Sequence, residues 1–150
     1  MPTVDHGARV DADVHRTWSV LMRFGEIAAW HPAIAESRIE GDLPDGMPGC
    51  VRVLRLADGG TLRERLLAMD VANRGFTYRF DEAPFPVDDY HLTVSVMPVT
   101  GETRSFIRWT AHFDVRPGHD AAAQVAVIRG LVAGGHQALA EHLASRKVAS

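Results

Sequence analysis

Residues 61–68 read TLRERLLA, a stretch in which apolar and charged side chains alternate. This alternation predicts a β-strand, because successive side chains of a strand point to opposite faces of its sheet. The apolar face then carries Leu62, Glu64, Leu66 and Ala68, whereas the arginines between them face water. A carboxylate on an apolar face is costly unless it is paired or hydrogen-bonded. The strand therefore predicts a cation partner or a ligand next to Glu64.

The preceding segment offers a cation for this carboxylate. Arg52 alternates with Leu54 and Leu56, and residues 58–60 read DGG, which is typical of a hairpin turn. The two segments are thus predicted to pair, with Arg52 as the first candidate partner of Glu64. Two interpretations stay open at this point: an internal ion pair that fixes the strand register, or a pair that contacts a ligand.

Length and charge limit the function classes. The 150 residues contain no repeat or linker-like stretch, so we expect one domain over residues 1–150. The net charge is -3 and the 16 Lys and Arg residues are scattered. Because nucleic-acid binding normally needs a basic stripe, we expect no nucleic-acid partner.

The cysteine content and the hydropathy of the chain indicate the cellular compartment in which we expect it. Cys50 is the single cysteine, which excludes an internal disulfide and fits a reducing compartment. The sequence has no run of 18 apolar residues and no N-terminal signal pattern, so we expect a cytoplasmic protein without stable membrane insertion. A signal peptide already removed would leave the same sequence. A monomer and a homodimer are both compatible with these features.

Periodicity divides the chain into seven strand-like segments, two short helices and one long helix. The predicted strands cover residues 4–10, 33–41, 49–57, 60–70, 74–82, 90–99 and 103–116. The first short helix begins near Val14, after an aspartate that can cap it, and the second covers residues 26–30. The long helix covers residues 119–146 and includes Gly130, Gly134 and Gly135.

Four short stretches carry a family resemblance: TWSVLMRF at 17–24, WHP at 30–32, GCVR at 49–52 and LRERL at 62–66. With the order of elements, they resemble the polyketide cyclase/dehydrase and lipid-transport superfamily (SRPBCC). This superfamily also includes START domains, the birch pollen allergen and, more distantly, the plant abscisic acid receptors. The resemblance implies an α+β helix-grip fold. In that fold a seven-stranded curved antiparallel sheet wraps around the long C-terminal helix, two short helices lie between strands 1 and 2, and a cavity separates sheet from helix. It does not imply a particular reaction.

The resemblance also implies roles for individual positions. His31 matches the place where the plant receptors carry a lysine that binds the carboxylate of their ligand. Arg52 and Glu64 match polar cavity residues, and Tyr90 matches an inward tyrosine near a lid loop. Trp109 stands where those receptors carry an inward acidic residue, and the hairpin at 58–60 is shorter than their gate. Hormone binding is therefore not predicted.

Strand parity extends the list of inward side chains. Tyr78 shares a face with Phe76 and Phe80, and further inward sets are Tyr90, Leu92, Val94 and Val96, and Ile107, Trp109, Ala111 and Phe113. His91 and His112 are predicted to lie on the opposite, wetter face. The two tyrosines are also compatible with a plain core role in which their hydroxyls reach a rim.

Two further positions complete the predicted site. Trp30 and His31 lie where the two short helices end, although a histidine before a proline is also typical of a solvated loop. Gly135 lies in the long helix, where each glycine costs about 1 kcal/mol relative to alanine. Either room for a ligand or close packing on the sheet would offset that cost. The predicted ligand-binding residues are Trp30, His31, Arg52, Glu64, Tyr78, Tyr90, Trp109 and Gly135.

Motifs for metal, phosphate, dinucleotide and nucleophilic-serine sites are absent from the sequence, so we expect neither a metal nor a cofactor. The first functional hypothesis is binding of a small hydrophobic or amphipathic molecule. The alternative is a cofactor-independent cyclase, dehydratase or isomerase acting on a polyketide-like or aromatic substrate, with Glu64 as general acid or base. A third hypothesis is a partner-binding module that uses apolar residues around Phe85.

Overall fold

Residues 1–149 are described by the computed structural model, with side chains described as far as residue 145. This part of the chain contains seven strands: β1 Thr3–Val10, β2 Ile34–Glu40, β3 Val51–Leu56, β4 Thr61–Asp70, β5 Gly75–Glu82, β6 Val87–Pro98 and β7 Ser105–Val115. Its helices are α1 Val14–Leu21, a 3₁₀ helix Phe24–Ala29 and α2 Ala121–Ala149. The end of the predicted long helix, Arg146, has no described side chain.

The strands form one antiparallel sheet in the order β1-β7-β6-β5-β4-β3-β2. Sequential strands pair from β2 to β7, and β1 closes the order by pairing with β7. The inner face of this sheet packs against α2, which buries Ile128, Val132, Leu139 and Leu143 there. The arrangement is the one that the sequence predicts, and it encloses the space between sheet and helix.

Both short helices form close to the positions that the sequence predicts for them. Asp13 caps α1, because its side chain accepts a hydrogen bond of 2.8 Å from the backbone N–H of Arg16. The second helix is a 3₁₀ helix that begins at Phe24, two residues before the predicted start. Phe24 is fully buried, and this burial draws the chain inward directly after α1.

A β-bulge in β4 corrects one predicted residue. Leu66 pairs with Tyr78 and Ala68 pairs with Thr77, so Leu67 is an extra residue between them. Beyond the bulge the inward parity reverses, and Ala68 is exposed while Met69 packs against the core. The prediction that Ala68 shares the inner face with Glu64 is therefore wrong.

The connection between β5 and β6 also differs from the prediction. β6 begins at Val87, so only residues 83–86 separate it from β5. The pairing of these two strands ends at Arg79 and His91. Beyond that point the rings of Phe80 and Tyr90 stack at 3.8 Å with planes 6° apart. At this end of the β5–β6 pair, contact between aromatic rings thus replaces backbone hydrogen bonds.

Candidate ligand-binding cavity

A cavity of about 110 Å³ lies between the inner face of the sheet, the 3₁₀ helix and α2. All eight predicted ligand-binding residues line it. Its remaining walls are mainly aliphatic and aromatic. The lining residues Arg23 and Leu131 are exposed to solvent, so they mark its opening.

Arg52 and Glu64 are paired across neighbouring strands at the cavity wall. They are register partners in β3 and β4, and Arg52 Nε donates to Glu64 Oε1 over 2.7 Å. Both side chains are only 4% exposed. Arg52 Nη1 also donates to the backbone carbonyl of Phe24 over 2.9 Å. The ion pair is therefore held by hydrogen bonds on more than one side, which makes its burial tolerable.

Two aromatic rings flank the guanidinium of Arg52. Its central carbon lies 4.0 Å from the ring centre of Phe24 and 4.8 Å from that of Tyr78. Such contacts add a cation–π attraction that is strongest where water is excluded. Phe24 was not among the predicted site residues, because its contact with Arg52 depends on how the 3₁₀ helix crosses β3, which strand parity does not reveal.

Burial governs the protonation of the acidic groups in the cavity. It raises the pKa of the Glu64 carboxyl, and the attraction of Arg52 offsets this only in part. Burial also raises the pKa of Tyr78 and of Tyr90, whose hydroxyls are hydrogen-bonded to each other. Both phenols thus keep their protons at neutral pH, and the hydroxyl that accepts in this pair keeps its own proton as a donor for a ligand.

His31 presents one ring nitrogen toward α2. Its Nδ1 accepts a long hydrogen bond of 3.4 Å from the backbone N–H of Ala33, which assigns the ring proton to Nε2. The ring stacks on Trp30 with centroids 5.5 Å apart. A Cβ added to Gly135 would lie 3.6 Å from Nε2. The His31 N–H is therefore directed to the space that the missing side chain of Gly135 leaves open.

The three glycines of α2 differ in their surroundings. A Cβ on Gly130 or Gly134 would meet no atom within 4 Å, and both glycines are exposed. Gly135 is buried and lines the cavity. Close packing on the sheet therefore does not explain Gly130 or Gly134, and room inside the cavity is the interpretation that fits Gly135.

His136 is a second residue next to the cavity that was not predicted. It is 5% exposed, and its Nδ1 accepts a hydrogen bond of 3.0 Å from the indole N–H of Trp109. One signal was available, since position 136 lies four residues after Val132 and three before Leu139 on the buried face of α2. A histidine inside such an apolar stripe indicates a buried polar contact.

Outside the cavity, His91 and His112 lie on the outer face of the sheet as predicted, with ring centroids 5.1 Å apart. Among the described residues, no group of three His, Cys, Asp or Glu side chains is placed to hold a metal ion. In the same part of the chain, no helix has the length and apolar character needed to cross a membrane.

One half-buried and one buried histidine, His31 and His136, predict a pH dependence of folding. Burial holds the pKa of His31 and of His136 below the ordinary 6.5, with Arg52 adding to the effect at His31 and His6 at His136. The unfolded chain then binds more protons than the folded chain just below pH 6.5. Stability should therefore fall as pH drops from 6.5 through the lower pKa values of the folded protein. Urea denaturation at a series of pH values should show this slope, and a His31→Asn/His136→Asn protein should show a smaller one.

Comparison with known proteins places this geometry in a family. The sequence model of the family described as "Polyketide cyclase / dehydrase and lipid transport" matches residues 1–146. None of the curated proteins compared with the chain matches it. Among solved structures, an uncharacterised protein from Bacillus thuringiensis is 26% identical, with a TM-score of 0.83 over 94% of this chain and 98% of that chain. XoxI from Bacillus cereus is also 26% identical, with a TM-score of 0.82 over 95% of each chain.

A plant enzyme shares the fold at lower identity. Norcoclaurine synthase from Thalictrum flavum, as a point mutant in complex with a transition-state analogue, is 19% identical. Its TM-score is 0.71 over 97% of this chain and 96% of that chain, which supports the helix-grip fold alone. With a family match over nearly its whole length and this fold, the chain belongs to the polyketide cyclase/dehydrase and lipid transport family.

Proposed function

We propose that this protein binds a small hydrophobic or amphipathic organic molecule in the cavity between sheet and α2. The observation that carries the proposal is one enclosed space with apolar walls and a few convergent polar groups, which is the usual composition of a small-molecule site. His31 and Arg52 both line this space, and Arg52 is close enough to lower the pKa of His31. Together they would anchor an acidic or phenolic group. The family description, which includes lipid transport, supports the same class of ligand.

The cavity volume limits the enclosed part of the ligand. An engineered apolar cavity of about 150 Å³ holds benzene. The cavity of this protein, at about 110 Å³, therefore suits roughly one aromatic ring or a short aliphatic segment. A longer ligand would extend past Leu131, which lines the cavity and is 42% exposed. Phenols and small aromatic acids are accordingly the first probes to use.

The alternative proposal is a cofactor-independent cyclase, dehydratase or isomerase. The specific observation in its favour is Glu64, a carboxyl group in the cavity wall whose pKa is raised by burial. A carboxyl with a raised pKa is suited to exchanging a proton with a bound carbonyl compound. The hydroxyl that accepts in the Tyr78–Tyr90 pair would then donate to the oxygen of that compound. The ion pair with Arg52 would have to loosen for Glu64 to act as a base.

A thermal-shift screen of wild type and Glu64→Gln separates the two proposals. Glutamine keeps the size and an oxygen acceptor for Arg52 but cannot exchange the proton. For a carrier, the same phenols or aromatic acids should raise the melting temperature of both proteins and be recovered unchanged. For an enzyme, wild type should consume a compound that only stabilises the mutant.

The matched control is Glu36→Gln, which removes an exposed carboxylate on β2 whose partner, Arg55, does not line the cavity. It should behave as wild type in both assays. If no phenol, aromatic acid or fatty acid stabilises either protein, the binding proposal is contradicted for these ligand classes.

A further inference from the structure

His136 is a buried polar side chain that the proposed site does not use. It lies on α2 but is not among the residues that line the cavity. Its Nδ1 accepts the indole N–H of Trp109, and the ring also forms a hydrogen bond with the backbone of Arg9. The ring of His6 lies edge-on to it, with centroids 5.2 Å apart. His136 therefore contacts β1 and β7 simultaneously.

These contacts define the protonation of the ring. Because Nδ1 accepts from Trp109, the proton of a neutral imidazole is on Nε2. That nitrogen is then the donor to the Arg9 backbone, whose polar acceptor is a carbonyl. Both ring nitrogens are used, and His136 has no free polar atom to offer a ligand. Its effect on the cavity must act through Trp109.

Trp109 is the cavity residue that this hydrogen bond controls. It lines the cavity and is 6% exposed. Its only polar atom is the indole N–H, which is directed to α2 and occupied by His136. The ligand is thus offered ring surface at this wall, while donors are concentrated at His31, Arg52 and the two tyrosines. Within the cavity lining, Trp109 therefore offers a ligand no hydrogen-bond donor.

We propose that His136 is a specificity-determining positioning residue: by accepting the indole N–H of Trp109, it keeps one cavity wall free of hydrogen-bond donors and selects an apolar ligand group there. This inference rests on the proposed binding function. It adds that the ligand is oriented, with its polar group at Arg52 and His31 and its apolar end at Trp109. Removing the acceptor should relax that selectivity without touching any residue that lines the cavity.

A pair of substitutions tests the proposal. His136→Leu removes the acceptor, whereas His136→Asn keeps an oxygen near the position of Nδ1. The probes are toluene and benzonitrile, which have similar size but differ in hydrogen-bond acceptance. In the leucine variant the indole is no longer held toward α2 and can turn its N–H into the cavity, which should raise the affinity for benzonitrile relative to toluene about fivefold, as expected for one new hydrogen bond. The asparagine variant should keep the wild-type ratio.

A second measurement follows the indole directly. The ¹H–¹⁵N cross-peak of the Trp109 side chain, assigned with Trp109→Phe, should move in His136→Leu and stay near its wild-type position in His136→Asn. If the leucine variant does not fold, acidification of wild type removes the same acceptor by protonating His136, and the cross-peak should move below about pH 6.5. The titration is repeated in a His6→Asn protein, because His6 is the titratable group that faces His136.

The outcomes are separable. The proposal is contradicted if a folded His136→Leu protein keeps the wild-type ratio of benzonitrile to toluene affinity. It is also contradicted if the Trp109 cross-peak does not move when the acceptor is removed. If neither probe binds wild type, the proposed binding function is contradicted for single-ring ligands. The cross-peak then still decides whether His136 holds the indole of Trp109.

Discussion

Replacing Glu64 with leucine should lower the free energy of unfolding by about 3–5 kcal/mol, because it leaves a buried guanidinium without its carboxylate. The side chains of Arg52 and Glu64 are both 4% exposed, so water cannot substitute for the missing partner. The hydrogen bond to the Phe24 carbonyl and the ring contacts hold Arg52 in place. The loss should be measured by urea denaturation at neutral pH.

The double variant Arg52→Met/Glu64→Leu is the informative partner of this experiment. It removes both charges and should recover most of the lost stability, since apolar pairs of similar volume often replace buried ion pairs without loss. Glu36→Leu is the matched control, because it breaks the exposed pair with Arg55 and should cost less than about 1 kcal/mol. Equal destabilisation in the single and double variants would show that unpaired charge is not the cause.

Replacing Gly135 with leucine should abolish binding of phenol and other single-ring ligands. The new side chain would start 3.6 Å from Nε2 of His31 and extend into a cavity of only about 110 Å³. The fold should survive, because leucine is a better helix former than glycine by about 1 kcal/mol. Thermal shift and calorimetric titration with phenol provide the readouts.

Gly134→Leu separates occupation of the cavity from any effect on the helix. A Cβ at Gly134 meets no atom within 4 Å and the residue is exposed, so this variant has the same gain in helix propensity but an unchanged cavity. It should bind phenol as wild type does. Wild-type affinity in Gly135→Leu would place the ligand elsewhere and refute the cavity as its site.

The inner face of most strands could be predicted from the sequence. Once one face of a strand is apolar, alternation determines which of its side chains point to the core. The placement of Glu64 opposite Arg52 came from such parity and a hairpin turn. Ala68 was misplaced since one extra residue at Leu67 reverses the parity, and nothing in the amino-acid types there indicates a bulge. Alternation of side chains therefore predicts the inner face of a strand only up to the next β-bulge.

Two residues that support the candidate site from outside the cavity wall were not predicted. All eight predicted residues line the cavity, and the resemblance supplied His31, which strand parity could not. Phe24 and His136 contact Arg52 and Trp109 from the 3₁₀ helix and from α2. Such contacts depend on how helices cross the sheet, and a single sequence contains no register between a helix and a strand.

The stacked rings of Phe80 and Tyr90 have a consequence for the motion of the cavity wall. The backbone pairing of β5 and β6 stops at Arg79 and His91. Beyond that point the two strands are joined by side chains, through the stacked rings and the hydrogen bond between the Tyr78 and Tyr90 hydroxyls. Separating two rings breaks no backbone hydrogen bond, and local opening is easiest where few such bonds must break. Both rings line the cavity. Local opening of the cavity wall should therefore occur there first. Solvent would then enter the cavity between β5 and β6 while the rest of the fold stays closed.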